Sequence, residues 1–184
     1  MILDMTRTRP DRVALAAALA GVALALGACG GDDSSKKSDN AIKRPEYITQ
    51  VDAICKKTTQ QSKPSFGKLQ ALVNASGTYK SRLIKAAPTL RKVYELQDSK
   101  LQRFKAIDPP TADRAQIAEI TKAAASTLTE FEKFLPAADR GDLPELIDIA
   151  TDASGSRALV ERLGTTYGFR KDCFSVPLDL SKFQ

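Results

Sequence analysis

Three cysteines and no histidine set the chemistry open to this chain of 184 residues. Without histidine there is no Ser-His-Asp or Cys-His nucleophile system, no imidazole base and no imidazole metal ligand. A ferritin-like di-metal site is excluded too, because it needs Glu-x-x-His. Carboxylates are then the acid–base candidates. Glu130 and Glu132 stand two apart, which turns them to different sides of a helix. Asp148 and Asp152 stand four apart and share a helical face. That spacing suits a cation or a catalytic pair, but it is first of all the pattern of a hydrated stripe. The sequence has no Gly-rich phosphate loop, no EF-hand loop and no Gly-x-Ser-x-Gly elbow. No catalytic residue, metal ligand or cofactor is assigned, and the expected role is non-enzymatic.

Positive charge is the second chemical resource. Between Cys55 and Ile107 the basic residues are Lys56, Lys57, Lys63, Lys68, Lys80, Arg82, Lys85, Arg91, Lys92, Lys100, Arg103 and Lys105. Only Glu95 and Asp98 oppose them. From Asp108 onward acids outnumber bases. The first half therefore projects a positive field. Lys56, Lys57, Lys80, Arg82, Lys85, Arg91, Lys92, Lys100, Arg103 and Lys105 are candidates to meet an anionic surface. The alternative is a solvated face that pairs with the acidic half. Nucleic acid is not the expected partner, since no stacking aromatics are interleaved with these bases.

The N-terminus carries an address. Arg7, Arg9 and Arg12 precede a run from Val13 to Leu26 that holds only Val, Ala and Leu apart from Gly21. The run falls short of the ~20 apolar residues needed to span a bilayer, and with its basic flank it fits a secretory signal. It ends Leu26-Gly27-Ala28-Cys29. This resembles the lipobox of bacterial lipoproteins: an aliphatic residue, two small residues and a cysteine. The resemblance implies that residues 1–28 are removed and that Cys29 receives a diacylglyceryl thioether. The mature chain would then sit on the outer face of the cytoplasmic membrane, where anionic headgroups or wall polymers are within reach. Two acyl chains give a stable anchor where one does not. Residues 29–44 follow, and Gly30 to Arg44 reads GGDDSSKKSDNAIKR, too polar to offset its ordering entropy. This segment is expected to be a disordered tether.

The elements that must position any site begin at Pro45, which suits a first helical turn. Tyr47, Ile48, Val51, Ile54 and Cys55 make one face, and Pro64 is expected to break the helix. Asn74 to Gly77 reads as a turn. A second helix runs through Leu83, Ala87, Leu90, Tyr94, Leu101 and Phe104. Gln97 interrupts this seam, either as a buried contact or, as preferred here, as an edge position reaching solvent. Pro88 should kink this helix or mark its start. Thr111 is expected to cap a third helix through Ile117, Ile120, Ala124, Leu128, Phe131 and Leu135, with a break from Pro136 to Gly141. Asp142-Leu143-Pro144-Glu145 has the form of a capping box. A fourth helix follows through Leu146, Ile147, Ala150, Ala153, Val160 and Leu163, ending near Gly168. No segment alternates with period two. The expected fold is an all-α, up-down-up-down four-helix bundle over residues 45–184.

After lipidation Cys55 and Cys173 remain as an even pair in an exported protein, which reads as a disulfide. In such a bundle the end of the fourth helix lies beside the start of the first. At this point the chain resembles the small, alanine-rich helical lipoproteins of high-GC Gram-positive bacteria. The resemblance rests on the lipobox, the tether, the segment from Tyr47 to Cys55 and the ending Tyr167-Gly168-Phe169 before Cys173. It brings no catalytic residues with it.

The expected protein is thus a lipid-anchored binding or interaction module of the cell envelope, with the membrane and an unidentified protein as partners. Two alternatives stand beside it. One is a carrier of a small apolar ligand held between the helices, to which Tyr94, Phe104, Phe131, Phe134, Tyr167, Phe169 and Phe174 could contribute if they are not simply core. The other is an enzyme using carboxylates alone.

Overall fold

A computed structural model describes residues 42–174. The signal segment, the lipobox and Cys29 lie outside the described residues. Four helices account for most of the described residues: α1 (Arg44–Val73), α2 (Tyr79–Lys105), α3 (Arg114–Arg140) and α4 (Leu143–Tyr167). Short 3-10 turns follow α2 (Thr111–Asp113) and α4 (Lys171–Cys173), and there is no strand among the described residues.

The caps follow from local chemistry. Pro45 falls in the first turn of α1, where its missing N–H costs nothing. Thr78 accepts from the Ser81 amide and Asp142 from the Glu145 amide, at 3.3 and 3.1 Å. Only half of the capping box forms, because the Glu145 carboxylate pairs with Arg140 instead. Gly141 and Gly168 close α3 and α4 at φ of +67° and +114°. A side chain at Gly141 would also strike the backbone of Lys80, so this turn packs directly on the start of α2.

The helix breaks expected at Pro64 and Pro136 are absent, and Pro88 does not mark the start of its helix. Pro64, Pro88 and Pro136 all lie inside continuous helices. Each is exposed, so the ring and the neighbouring unpaired carbonyl face water rather than the core. Buried residues on either side of Pro64, Ser62 and Ser65, hold α1 against its neighbours. Ser62 Oγ also donates to the carbonyl of Thr58, adding a bond in the turn that precedes the proline. The break after α3 comes at Gly141, not at Pro136. Likewise Thr111 opens a 3-10 turn, and α3 starts at Arg114.

Packing runs α1 on α2, α2 on α3 and α3 on α4. The largest apolar cluster gathers Tyr47 and Val51 of α1, Leu101 and Phe104 of α2, Ile117 and Ile120 of α3, and Val160 and Tyr167 of α4. A cluster at the far ends joins Leu83 of α2, Phe134 and Ala137 of α3, and Leu146 of α4. Small residues (Ala86, Ala87 and Ala138) let helices approach closely between these two regions.

The chain after α4 links α4 to α1. The Arg170 amide donates to Asp52 at 3.1 Å, and the Phe174 ring lies over Gly164, where a Cβ would come within 2.6 Å of it. Cys173 sits beside Cys55 at disulfide distance, with Cα atoms 5.0 Å apart across a sequence separation of 118.

Candidate functional site

Beneath this strap the four helices do not close on one another. They leave a chamber of about 280 Å³. Val51, Ile54 and Cys55 of α1 form one wall, and Gln97, Lys100, Leu101 and Phe104 of α2 another. Ala124, Thr127, Leu128, Phe131 and Phe134 of α3 line the floor. Ala150, Ala153, Ser154, Arg157 and Val160 of α4 complete it, with Cys173 and Phe174 at one end. Ser154 and Arg157 are exposed, so the chamber opens to solvent along the middle of α4. An apolar cavity of about 150 Å³ takes benzene, so this space suits a molecule about twice that size.

The polar groups of the chamber are few. Gln97 is 9% exposed and lines the wall, which corrects the expectation of an edge position reaching solvent. Neighbouring helices rather than its own periodicity decide this, since the seam of α2 faces the chamber at that point. Thr127 hides its hydroxyl by donating to the carbonyl of Ala123 at 3.0 Å. Lys100 donates from Nζ to the carbonyl of Cys173 at 2.7 Å and lies 5.8 Å from the Phe174 ring centroid. Burial lowers its pKa to about 8, against the opposing pull of Asp172. Lys100 is surrounded by protein yet keeps some accessible surface, because the space it faces is the chamber. Asp172 is itself held by two bonds of 3.0 Å from Arg170, which lower its pKa first, before the neighbouring charges act. Among the described residues, no Asp or Glu lines the chamber.

Next to the chamber, and apart from its lining, lies an aromatic group. Tyr47 is 0% exposed and packs against Phe104, Tyr167 and Phe169 with ring centroids 6.1–6.3 Å away. Among the described residues no group reaches its hydroxyl, and burial raises its pKa to about 12. Tyr167 does find a partner, donating to Asp113 at 2.7 Å beneath the Arg44 guanidinium, 4.2 Å from its ring. Burial and that hydrogen bond push its pKa up as well. Of the aromatics considered for a pocket, Phe104, Phe131, Phe134 and Phe174 line it, while Tyr94, Tyr167 and Phe169 do not.

The basic candidates divide. Lys100 turns inward, as just described. Arg91 pairs with Asp139 at 2.9 Å, Arg82 donates to the Val73 carbonyl and covers Tyr79, and Arg103 donates to Ser99. Lys56, Lys57, Lys80, Lys85, Lys92 and Lys105 are exposed. On α2, Lys85 and Lys92 share a face, while Lys80, Arg91 and Lys105 stand roughly 130° around the helix from them. The bases thus spread over two sides of α2 rather than one. Asp148 and Asp152 are exposed, and no group of three or more metal-ligating side chains occurs among the described residues.

No protein-family model matches the chain, and no curated protein or solved structure is similar to it.

Proposed function

We propose that the protein is a lipid-anchored, extracytoplasmic helical module that binds a small apolar ligand in the chamber between its helices. The single observation behind this reading is the chamber itself: about 280 Å³ of space with mostly apolar walls, open along α4. The helices are read as an up-down-up-down bundle. Tyr47 meets Phe104 and Tyr167 at one end, and Gly141 meets Lys80 at the other, as that topology requires. The anchor is Cys29 in its lipobox context, and among the described residues the chamber is lined by no carboxylate for acid–base work. Binding without chemical conversion is therefore the role best supported. The exposed lysines of α2 are spread too widely to favour an anionic surface over the interior as the main site.

Photolabelling of the full chain in its own membrane tests this, using a neutral decanol analogue that carries a diazirine. Labelled peptides should come from the chamber-lining parts of α2, α3 and α4, and Ala153→Trp, which fills the chamber, should remove the label. Labelling scattered over the outer surface, and unaffected by Ala153→Trp, would overturn the reading. In the same cells an alkynyl palmitate should mark the chain, and Cys29→Ser should abolish that mark.

A further inference from the structure

We infer that the ligand of this chamber is a single-chain anionic amphiphile, with its acidic head held by Lys100 and Arg157 and its apolar body toward Phe131 and Phe134. The inference rests on the chamber reading and adds the chemical class of the ligand.

The charged groups that line the space carry one sign. Among the described residues, Lys100 and Arg157 are the ionisable side chains that line it, and both are cations. They come from different helices, α2 and α4, and no described carboxylate lines the chamber beside them. Arg157 forms no ion pair among the described residues, and Lys100 spends one of its three donors on the Cys173 carbonyl. The nearest acid to Lys100, Asp172, is engaged by Arg170. Lys100 and Arg157 give a largely apolar space positive charge at the disulfide end and at the opening along α4, and the spare Lys100 donors and Gln97 are available to hydrogen-bond an anionic group there.

The polarity is also arranged lengthwise. Lys100 lies at the disulfide end, against Cys173 and Phe174. Phe134 belongs to the opposite apolar cluster with Leu83 and Leu146. A molecule with its head at Lys100 thus runs from cations toward rings that offer no polar group. The volume, about twice that of a benzene-sized cavity, suits roughly ten to twelve heavy atoms. Lys100 keeps donors beyond the one given to Cys173 and faces the chamber, which places it to meet an acidic head group.

Competition against the decanol photoprobe on the full chain in its membrane decides the matter, with decanoate, decanol and decylamine as competitors. Decanoate should displace the probe at a concentration at least tenfold lower than decanol, as expected for one charge-assisted contact, and decylamine should be weaker than decanol. Lys100→Met should bring decanoate and decanol to within about threefold of one another. Arg157→Glu, at an exposed position that leaves the core untouched, should act in the same direction. Equal competition by the three compounds in the native chain would overturn this inference and leave the chamber reading standing. A decanoate preference that survives both substitutions would also overturn it. Loss of chamber labelling in the native chain would instead overturn the proposed function itself.

Discussion

Lys100 reaches across from α2 to donate to the carbonyl of Cys173, 2.7 Å away, and so joins a partly buried cation to the segment after α4, where Cys173 lies at disulfide distance from Cys55 of α1. The contact satisfies one donor of a charge that water would solvate far better. Its remaining cost is visible in the pKa, which burial lowers from 10.5 to about 8.

That shift has a defined consequence for stability. Between pH 8 and 10.5 the unfolded chain holds the Lys100 proton while the folded chain has released it. Unfolding takes up a proton there, so stability rises with pH across that window. Tyr47 acts in the opposite sense above pH 10, because its pKa near 12 keeps a proton that the unfolded chain has lost. Urea unfolding should therefore show a maximum near pH 9–10. Lys100→Met should raise stability at pH 7 by about 2 kcal/mol and remove the rise above pH 8. A variant less stable than the native chain at pH 7 would contradict this account.

Cys55→Ser frees a loop of 118 residues. Chain entropy puts the loss at ~4–5 kcal/mol, and for a domain of this size each kcal/mol is worth about 2–4 °C. The melting temperature under oxidising conditions should fall by at least about 10 °C. It should stay the same when the native chain is melted with and without a reductant only if the bond is absent.

Gly164→Ala would place a Cβ within 2.6 Å of the Phe174 ring. The ring must move, and with it one end of the chamber. The expected cost is about 1–3 kcal/mol of stability, as for an overpacked core site. Photolabelling of the chamber by the decanol probe should change as well, whereas Gly155→Ala, exposed inside α4 with nothing within 4 Å, should leave the labelling unaffected and raise stability by up to about 1 kcal/mol.

Tyr47→Phe removes a buried hydroxyl that no group reaches among the described residues, and keeps the ring contacts with Phe104, Tyr167 and Phe169. Deleting an unsatisfied polar atom without changing shape is neutral or stabilising. Denaturant unfolding should show a gain of up to about 1 kcal/mol, and the decline in stability above pH 10 should weaken. A loss of more than 1 kcal/mol would mean that the hydroxyl has a partner that matters.

The four helices were legible in the residues because a period of 3.6 and its caps are local matters. Asp142, Gly141 and Gly168 announce the ends they form, and the seam from Leu83 to Phe104 names the buried side of α2, whereas Thr111, expected to cap α3, opens a 3-10 turn instead. Pro64 and Pro136 misled for the same reason. The local rule predicts a break, but buried neighbours on both sides of an exposed proline hold the helix together.

By itself, then, the sequence determined the helical class, the caps, the candidate lipid anchor and the absence of histidine chemistry. The tertiary structure alone decided that Lys100, one base among many in a positively charged run, turns inward, and that Gln97 faces a chamber instead of water. Both outcomes depend on how far apart four helices stand and on where the strap from Gly168 to Phe174 lands. Spacing along a chain defines which side chains share a face. It carries no information on the gap between that face and the next, and that gap is the candidate site.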